Sequence, residues 1–337
     1  MTIGEGTDMS REENVEIFRD TERLVKTLPQ LKEAVRNSTE NQKLILETDK
    51  DYGVDKEREA WVSEFMERET DIEDLVLRRL IANSMFTLDG ETPARVAVTK
   101  RRSFEAASVA RERYRSVCVH NFASATTPGG GVTKGSSAQE EALCRCSTLY
   151  FSLNTPEMWG GFYTPHRNAR DPRHNDDIIY TPGVHVIKSD TDSPVLMPEA
   201  DWFDVNVITC AAPNLRQMPS NGMNTGDGVK KIKMNDEELQ ALHKKRLRRI
   251  LQVAEMEKNE AVILGAFGCG AFENDPEVVA KAAANAVKDY LCDFSYIEFA
   301  VYCPPGNDRN YRVFDKVLSP LNSEWESFQA DLKKMKR

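Results

Sequence analysis

Apolar positions recur along this chain at two different periods, and the change comes near residue 94. Before it the period is helical: Val15, Ile17, Phe18, Leu24 and Val25 fall partly in register over residues 14–28. Residues 48–74 are dense in charge, yet Trp61, Val62, Phe65 and Met66 keep helical spacing, which predicts a surface helix. After residue 94 short apolar runs of strand length take over, at 95–99, 116–122, 205–211, 261–267 and 297–303. Helical stretches lie between them. One is predicted from Ser103, read as its N-cap, to residue 113. Strands alternating with helices argue an α/β fold, with a buried sheet covered by helices on both faces. The expected organisation is a helical N-terminal extension over 1–93 packed on the core, a core over 94–320, and a C-terminal helix and basic tail over 321–337.

Composition narrows the function classes. The 337 residues carry 45 Lys and Arg against 54 Asp and Glu, a formal charge of −9. Wrapping nucleic acid needs a basic face, so direct nucleic-acid binding is not expected, although a pocket for one anionic ligand is compatible with the balance. No run of 18 apolar residues is present, and the first residues lack the apolar stretch of a secretory signal. Seven cysteines at irregular spacing do not form a disulfide framework. An intracellular, monomeric protein is the expectation.

Two glycine loops sit at strand-to-helix junctions. The first runs from Asn121 through Gly129, Gly130, Gly131 and Val132 to Gln139, Glu140 and Glu141. Consecutive glycines permit positive φ and let backbone N–H groups converge on an anion. Ala142, Cys146, Leu149, Tyr150 and Leu153 predict one helix behind it, with Ser137 and Glu140 spaced as a capping box. The second loop holds Gly268, Cys269, Gly270, Ala271 and Phe272, followed by Asp275 as N-cap and Pro276 at the first helical position. Neither is a Walker A loop or a full dinucleotide fingerprint. Together they suggest a diphosphate held between two cradles.

Glu140 and Glu141 at the mouth of the first loop read two ways. Acids in a first helical turn are favoured by the helix dipole. A carboxyl shielded from water beside a bound sugar is also a general acid toward a glycosidic oxygen. Adjacent acids cannot flank opposite faces of a sugar, so one would transfer protons and the other orient the substrate. Elsewhere, His166 and His174 fit no metal-ligand spacing. Cys269 offers a backbone N–H rather than a nucleophilic sulfur. Trp202 and Phe203 read as core. The basic run over residues 244–249 reads as a solvated helix face rather than a polymer-binding stripe.

The triple glycine, seven residues and then Gln139-Glu140-Glu141, with GAFGCGAFENDP downstream, resembles the poly(ADP-ribose) glycohydrolases and their microbial branch in particular. The resemblance covers roughly residues 10–318 and implies a macrodomain-like mixed sheet flanked by helices. It implies ADP-ribose, its polymer and ADP-ribosylated proteins as partners, with no metal and no cofactor. By the same resemblance Glu141 protonates the ribose–ribose oxygen and then activates water, releasing ADP-ribose from chain ends. Glu140 orients the ribose hydroxyls and Gln139 supports the motif. Gly129, Gly130, Gly131 and Val132 form one diphosphate loop; Gly268, Cys269, Gly270 and Ala271 form the other. Phe272 packs on the ribose. Asn121 stands where animal enzymes carry an acid, and residues 155–180 would cover the cleft. A macrodomain that reads ADP-ribose without cleaving it, or a hydrolase of mono-ADP-ribosylated protein or a nucleotide derivative, are the alternatives.

Overall fold

The structure is a computed structural model that describes residues 10–49, 52, 56–68 and 94–323. Among the described residues seven strands form one mixed sheet in the order β1-β4-β5-β3-β6-β7-β2. They are β1 (Lys43–Ile45), β2 (Arg95–Thr99), β3 (Val117–Phe122), β4 (Ile178–Val186), β5 (Phe203–Cys210), β6 (Ala261–Leu264) and β7 (Tyr296–Ala300). The block β5-β3-β6-β7-β2 is parallel, while β4 runs antiparallel to both β5 and β1. Side chains alternate across the sheet. Val117, Val119, Ala261 and Ile263 enter one core, and Cys118, Val262 and Leu264 the other.

The longer helices among the described residues are α1 (Arg11–Thr27), α2 (Pro29–Glu40), α3 (Lys56–Arg68), α4 (Ser103–Ala110), α5 (Gln139–Cys146), α6 (Leu149–Leu153), α7 (Thr164–Ala169), α8 (Asp236–Met256), α9 (Pro276–Lys288) and α10 (Arg309–Leu318). On one face α8 and α9 pack Leu247, Ile250, Val279 and Ala283 against the strands. On the other, α4, α5 and α6 contribute Phe104, Ala107, Leu143 and Leu149. Asp275 caps α9 by accepting from the Glu277 and Val278 N–H groups, with Pro276 in the first turn, as its sequence predicts.

Several local expectations need correction. The segment before residue 94 supplies a strand as well as helices, since β1 pairs with β4 at the sheet edge. Residues 178–186 are a strand rather than the end of a cover, and a register shift between Thr181 and Val184 accommodates Pro182 and Gly183. The helix predicted across Ala142–Leu153 is broken: Ser147 turns extended, bridges Val186, and returns its hydroxyl to the Leu143 carbonyl. Arg102, not Ser103, is the N-cap of α4, and the Asp190 carboxylate takes the Phe104 N–H. Trp202 and Phe203 are half-buried at the edge of the packing rather than central. The basic tail at 333–337 lies outside the described residues.

The basic run on α8 is a solvated face only in part: Lys245 is exposed, but the run also turns inward. Arg246 is fully buried: its Nε donates to Asp176 Oδ1 at 2.8 Å and its NH1 to the Ala211 carbonyl at 2.7 Å. Lys245 also pairs with Asp176, Arg248 pairs with Asp289, and Arg249 donates to the Leu46, Asp49 and Tyr52 carbonyls. Burial alone would raise the Asp176 carboxyl, but Arg246 and Lys245 outweigh it and hold it below the ordinary value. Its stabilising contribution is therefore present above the ordinary carboxylate pKa and is lost as pH falls through the lower folded value. Arg246→Met leaves Asp176 without its buried partner and is expected to cost about 3–5 kcal/mol, read as a lowered midpoint in urea unfolding.

Candidate active site

The loops that follow β2, β3, β5, β6 and β7 meet around one cavity of about 340 Å³. This is the carboxyl end of the parallel strands, where open α/β sheets bind ligands. Both glycine loops reach it: Gly130, Gly131, Gln139, Glu140 and Glu141 line it from one side, and Gly268, Gly270, Ala271 and Phe272 from the other.

The first loop is wound tightly. Gly129 and Gly130 have φ of 63° and 55°, and Gly135 ends a short 3₁₀ turn at φ 78°. Its N–H groups are engaged inside the protein. Gly130 donates to the Thr127 carbonyl, Val132 to that of Gly129, and Gly131 to Glu141 Oε1 at 2.8 Å. The Gly129 N–H lies near the Glu140 carboxylate and favours its charged form. The anions cradled by this loop are thus the two carboxylates themselves. Gly129 and Val132 do not line the cavity, and the Val132 side chain is buried in the core beneath it.

Glu140 and Glu141 are both buried, in the first turn of α5. The capping box does not form: α5 begins after Ala138 with no side-chain cap. The Glu140 carboxylate turns instead to the strand end, where Oε2 accepts the Ser124 N–H at 2.7 Å and Oε1 the Asn121 amide at 3.3 Å. Burial, and then the neighbouring Glu141 charge, push Glu140 well above the usual carboxylate range against these donors. Glu141 is held through Oε1 only, and no donor among the described residues takes its Oε2. Asn121 also donates to Thr209 on β5, so it braces Glu140 from within the sheet. Gln139 faces backward: its amide oxygen accepts the Phe122 N–H, and its nitrogen donates to the His120 carbonyl and the Ser103 hydroxyl.

The second loop keeps donors free. Among the described residues, no protein acceptor takes the N–H groups of Gly268, Gly270, Ala271 or Phe272. Cys269 differs from expectation in its N–H, which closes on the Ala266 carbonyl at 3.1 Å, while burial pushes its thiol up, in keeping with a sulfur that is not the nucleophile. Asn274 fixes the loop from below by donating to the Pro213, Gly268 and Phe272 carbonyls. His243 on α8 meets its Oδ1 at 2.9 Å. Arg216 stands 5.5 Å over the Phe272 ring.

The cavity has other walls that the sequence reading did not name: Arg102, Asp190, Tyr302 and Asn310 at one end, and Arg216, Met223 and Asn224 on the long loop after β5. A polar, Asn- and Gly-rich stretch directly after a parallel strand was the available signal for the second group. His166 and His174 bond backbone carbonyls of Phe162 and Ala212. Among the described residues no group of His, Cys, Asp and Glu is arranged to hold a metal, and no helix is long and apolar enough to cross a membrane.

Comparison with known proteins follows this geometry. The family model for the microbial-type PARG catalytic domain matches residues 13–189. Among solved structures, poly(ADP-ribose) glycohydrolase from Thermomonospora curvata bound to the inhibitor ADP-HPD is 25% identical. The alignment covers 90% of this chain and 99% of that one, with a TM-score of 0.67. The Deinococcus radiodurans enzyme in complex with ADP-ribose is 27% identical over 85% of this chain and 97% of that one, with a TM-score of 0.62. No curated protein sequence matches.

Proposed function

The chain belongs to the microbial-type poly(ADP-ribose) glycohydrolases, and from that premise we propose that Glu141 is its proton-transfer residue, acting on the terminal unit of the polymer. It is a glycosidase of this type, and the remaining question is how its residues divide the work. The observation that carries the assignment is the asymmetry of the acid pair. Glu140 has both carboxylate oxygens engaged by donors from the sheet and the loop, while Glu141 is anchored at one oxygen and open at the other.

Burial and the neighbouring Glu141 charge raise Glu140 well above the usual carboxylate range, so the site retains a proton where an ordinary carboxylate has lost it. The transferable proton is presented from Glu141 Oε2, the oxygen that no protein donor among the described residues occupies. That proton passes to the ribose oxygen of the leaving unit as the glycosidic C–O bond breaks, and an oxocarbenium-like centre develops on the retained ribose. The negative pair lies beside that centre and stabilises it. Glu141, now ionised, takes a proton from the attacking water, whose oxygen forms the new C–O bond. ADP-ribose is released and Glu141 is again protonated. Glu140 receives a ribose hydroxyl and sets the sugar against Glu141, while Asn121 and Gln139 keep the strand end and the helix start in register.

The diphosphate falls to the second loop, whose free N–H groups face the cavity. A Cβ at Gly270 would meet no protein atom within 4 Å, so Gly270→Ala should fold normally. The methyl group instead enters ligand space, and the expected result is a tenfold or greater weakening of ADP-ribose binding in calorimetry with an unchanged thermal midpoint. The substrate itself is tested by presenting polymer, mono-ADP-ribosylated protein and free ADP-ribose derivatives side by side. Release of ADP-ribose from polymer ahead of the others supports the reading. Binding without release, or release from mono-modified protein alone, replaces it.

A further inference from the structure

We infer that the exposed lysines 230, 231 and 233, with Lys134 and Arg170, form a basic track that carries the diphosphates of the polymer beyond the scissile bond. The inference rests on the glycohydrolase reading, because it needs a substrate that continues past the cavity. The strand that leaves must emerge beside Glu140 and Glu141, and the long loop after β5 stands at that end. Its Met223 Sδ lies 3.4 Å from where a Cβ on Gly131 would be, and Lys134 Nζ donates to the Gly222 carbonyl at 2.6 Å. Asn224 accepts the hydroxyl of Ser124, the residue whose N–H holds Glu140.

The loop is anchored rather than loose. Asp227 is buried and accepts from Asn214 at 2.7 Å, Asn224 at 2.6 Å and Thr126 at 3.2 Å. One residue on, Gly228 lies against the Arg170 carbonyl, which a Cβ there would approach to 2.7 Å. The chain then passes into Val229-Lys230-Lys231-Ile232-Lys233, where all three lysines are exposed. Consecutive Cα atoms are about 3.8 Å apart, so Lys230 and Lys231 are roughly 8–11 Å at most along the chain from Gly228.

Charge bookkeeping favours a polyanion here. The whole chain is formally −9. Among the described residues no carboxylate pairs with Arg170, Lys230, Lys231 or Lys233. The acids closest in the chain have other roles: Asp171 pairs with Arg173, Asp227 is buried, and Asp236, Glu237 and Glu238 occupy the first turn of α8, with Glu238 in its capping box. On α8, Lys245, Arg246, Arg248 and Arg249 are paired within the protein, whereas Lys230, Lys231 and Lys233 are exposed and follow a loop that lines the cavity at Arg216, Met223 and Asn224. Each further unit of the polymer brings a diphosphate, a repeating anion that spaced lysines suit and that monomeric ADP-ribose lacks beyond the cavity.

The test compares wild type with K230A/K231A/K233A and with K230E/K231E/K233E. Long polymer and ADP-ribose are the two probes. The expected result is a KM for polymer raised about tenfold at low salt by the alanine variant and further by the glutamate variant. The kcat at saturation and the Kd for ADP-ribose should stay within twofold. The slope of log KM against log salt should fall by about 2, since three contacts to a single-stranded polyanion contribute about 0.7 each. An unchanged polymer KM, or a Kd for ADP-ribose that rises in step with it, overturns the proposal. Filter binding of polymer to the same lysine variants made in an E141Q background reads the track without turnover. If wild type releases no ADP-ribose, the functional reading fails, and this binding experiment still decides on the track.

Discussion

Replacing Glu141 by Gln should lower kcat for ADP-ribose release from polymer by about 10³-fold while leaving the Kd for ADP-ribose within a few-fold. Loss of a positioned general acid typically costs 10²–10⁴. Gln keeps the shape of the side chain and its carbonyl oxygen still accepts the Gly131 N–H. What disappears is the transferable proton at the open position. The same reasoning gives the pH profile of the native enzyme. Glu140 is raised by burial and by its neighbour, so the site keeps a proton past the ordinary carboxylate range and release should fall only as pH rises through that elevated Glu140 value. Single-turnover release across pH, paired with calorimetry on the variant, checks both. Full activity in Glu141→Gln would remove the assignment, and equal loss of binding would make the residue a ligand contact rather than a proton donor.

Gly130→Ala should be nearly as damaging, although it adds only one carbon. Its Cβ would stand 2.5 Å from Glu141 Oε1 and 3.2 Å from Glu140 Oε2, inside contact distance of both carboxyls. The backbone there has φ of 55°, a left-handed conformation that costs a non-glycine residue about 1–2 kcal/mol. Strain of that size is a modest fraction of a domain's stability, so the protein should still fold. Displacing the Glu141 carboxyl by even 1 Å is another matter, because catalytic misplacement of that order can cost 10²-fold. The expected result is a kcat reduced at least 10²-fold with a thermal midpoint lowered by several degrees. Gly160→Ala, where a Cβ meets nothing within 4 Å, is the matched control. Comparable activity in Gly130→Ala would show that the loop yields freely and does not fix the acids.

The sequence was informative where a local rule decides the structure. Asp275-Pro276 starts a helix from its own side chains, and β3, β6 and β7 announce themselves as apolar runs. Convergence of the two glycine loops was legible because both follow parallel strands and must open at the same edge of the sheet. What escaped depends on partners distant in the chain. The β4 strand contains Pro182-Gly183, which reads as a break until the register shift against β5 is seen. The β1 strand is three residues long and exists through its pairing with β4. Ser137 looked like half of a capping box, but Glu140 found stronger donors at Ser124 and Asn121 on the strand end. Arg246 looked solvated because helical spacing alone does not reveal that Asp176 lies beneath it. Asp190 and Tyr302 reach the cavity from separate loops with no motif to mark them.

The N-terminal helix has a practical bearing on how this enzyme is handled. Its first residue presses its carbonyl against Gly135, where a methyl group would sit 2.1 Å away, and Asn14 donates to the Gly135 carbonyl. Thr21 on the same helix donates to the Arg145 carbonyl in α5. Removing this helix would take those contacts away from the glycine loop and from α5 together, so a shortened form of the enzyme should be judged by turnover as well as by folding.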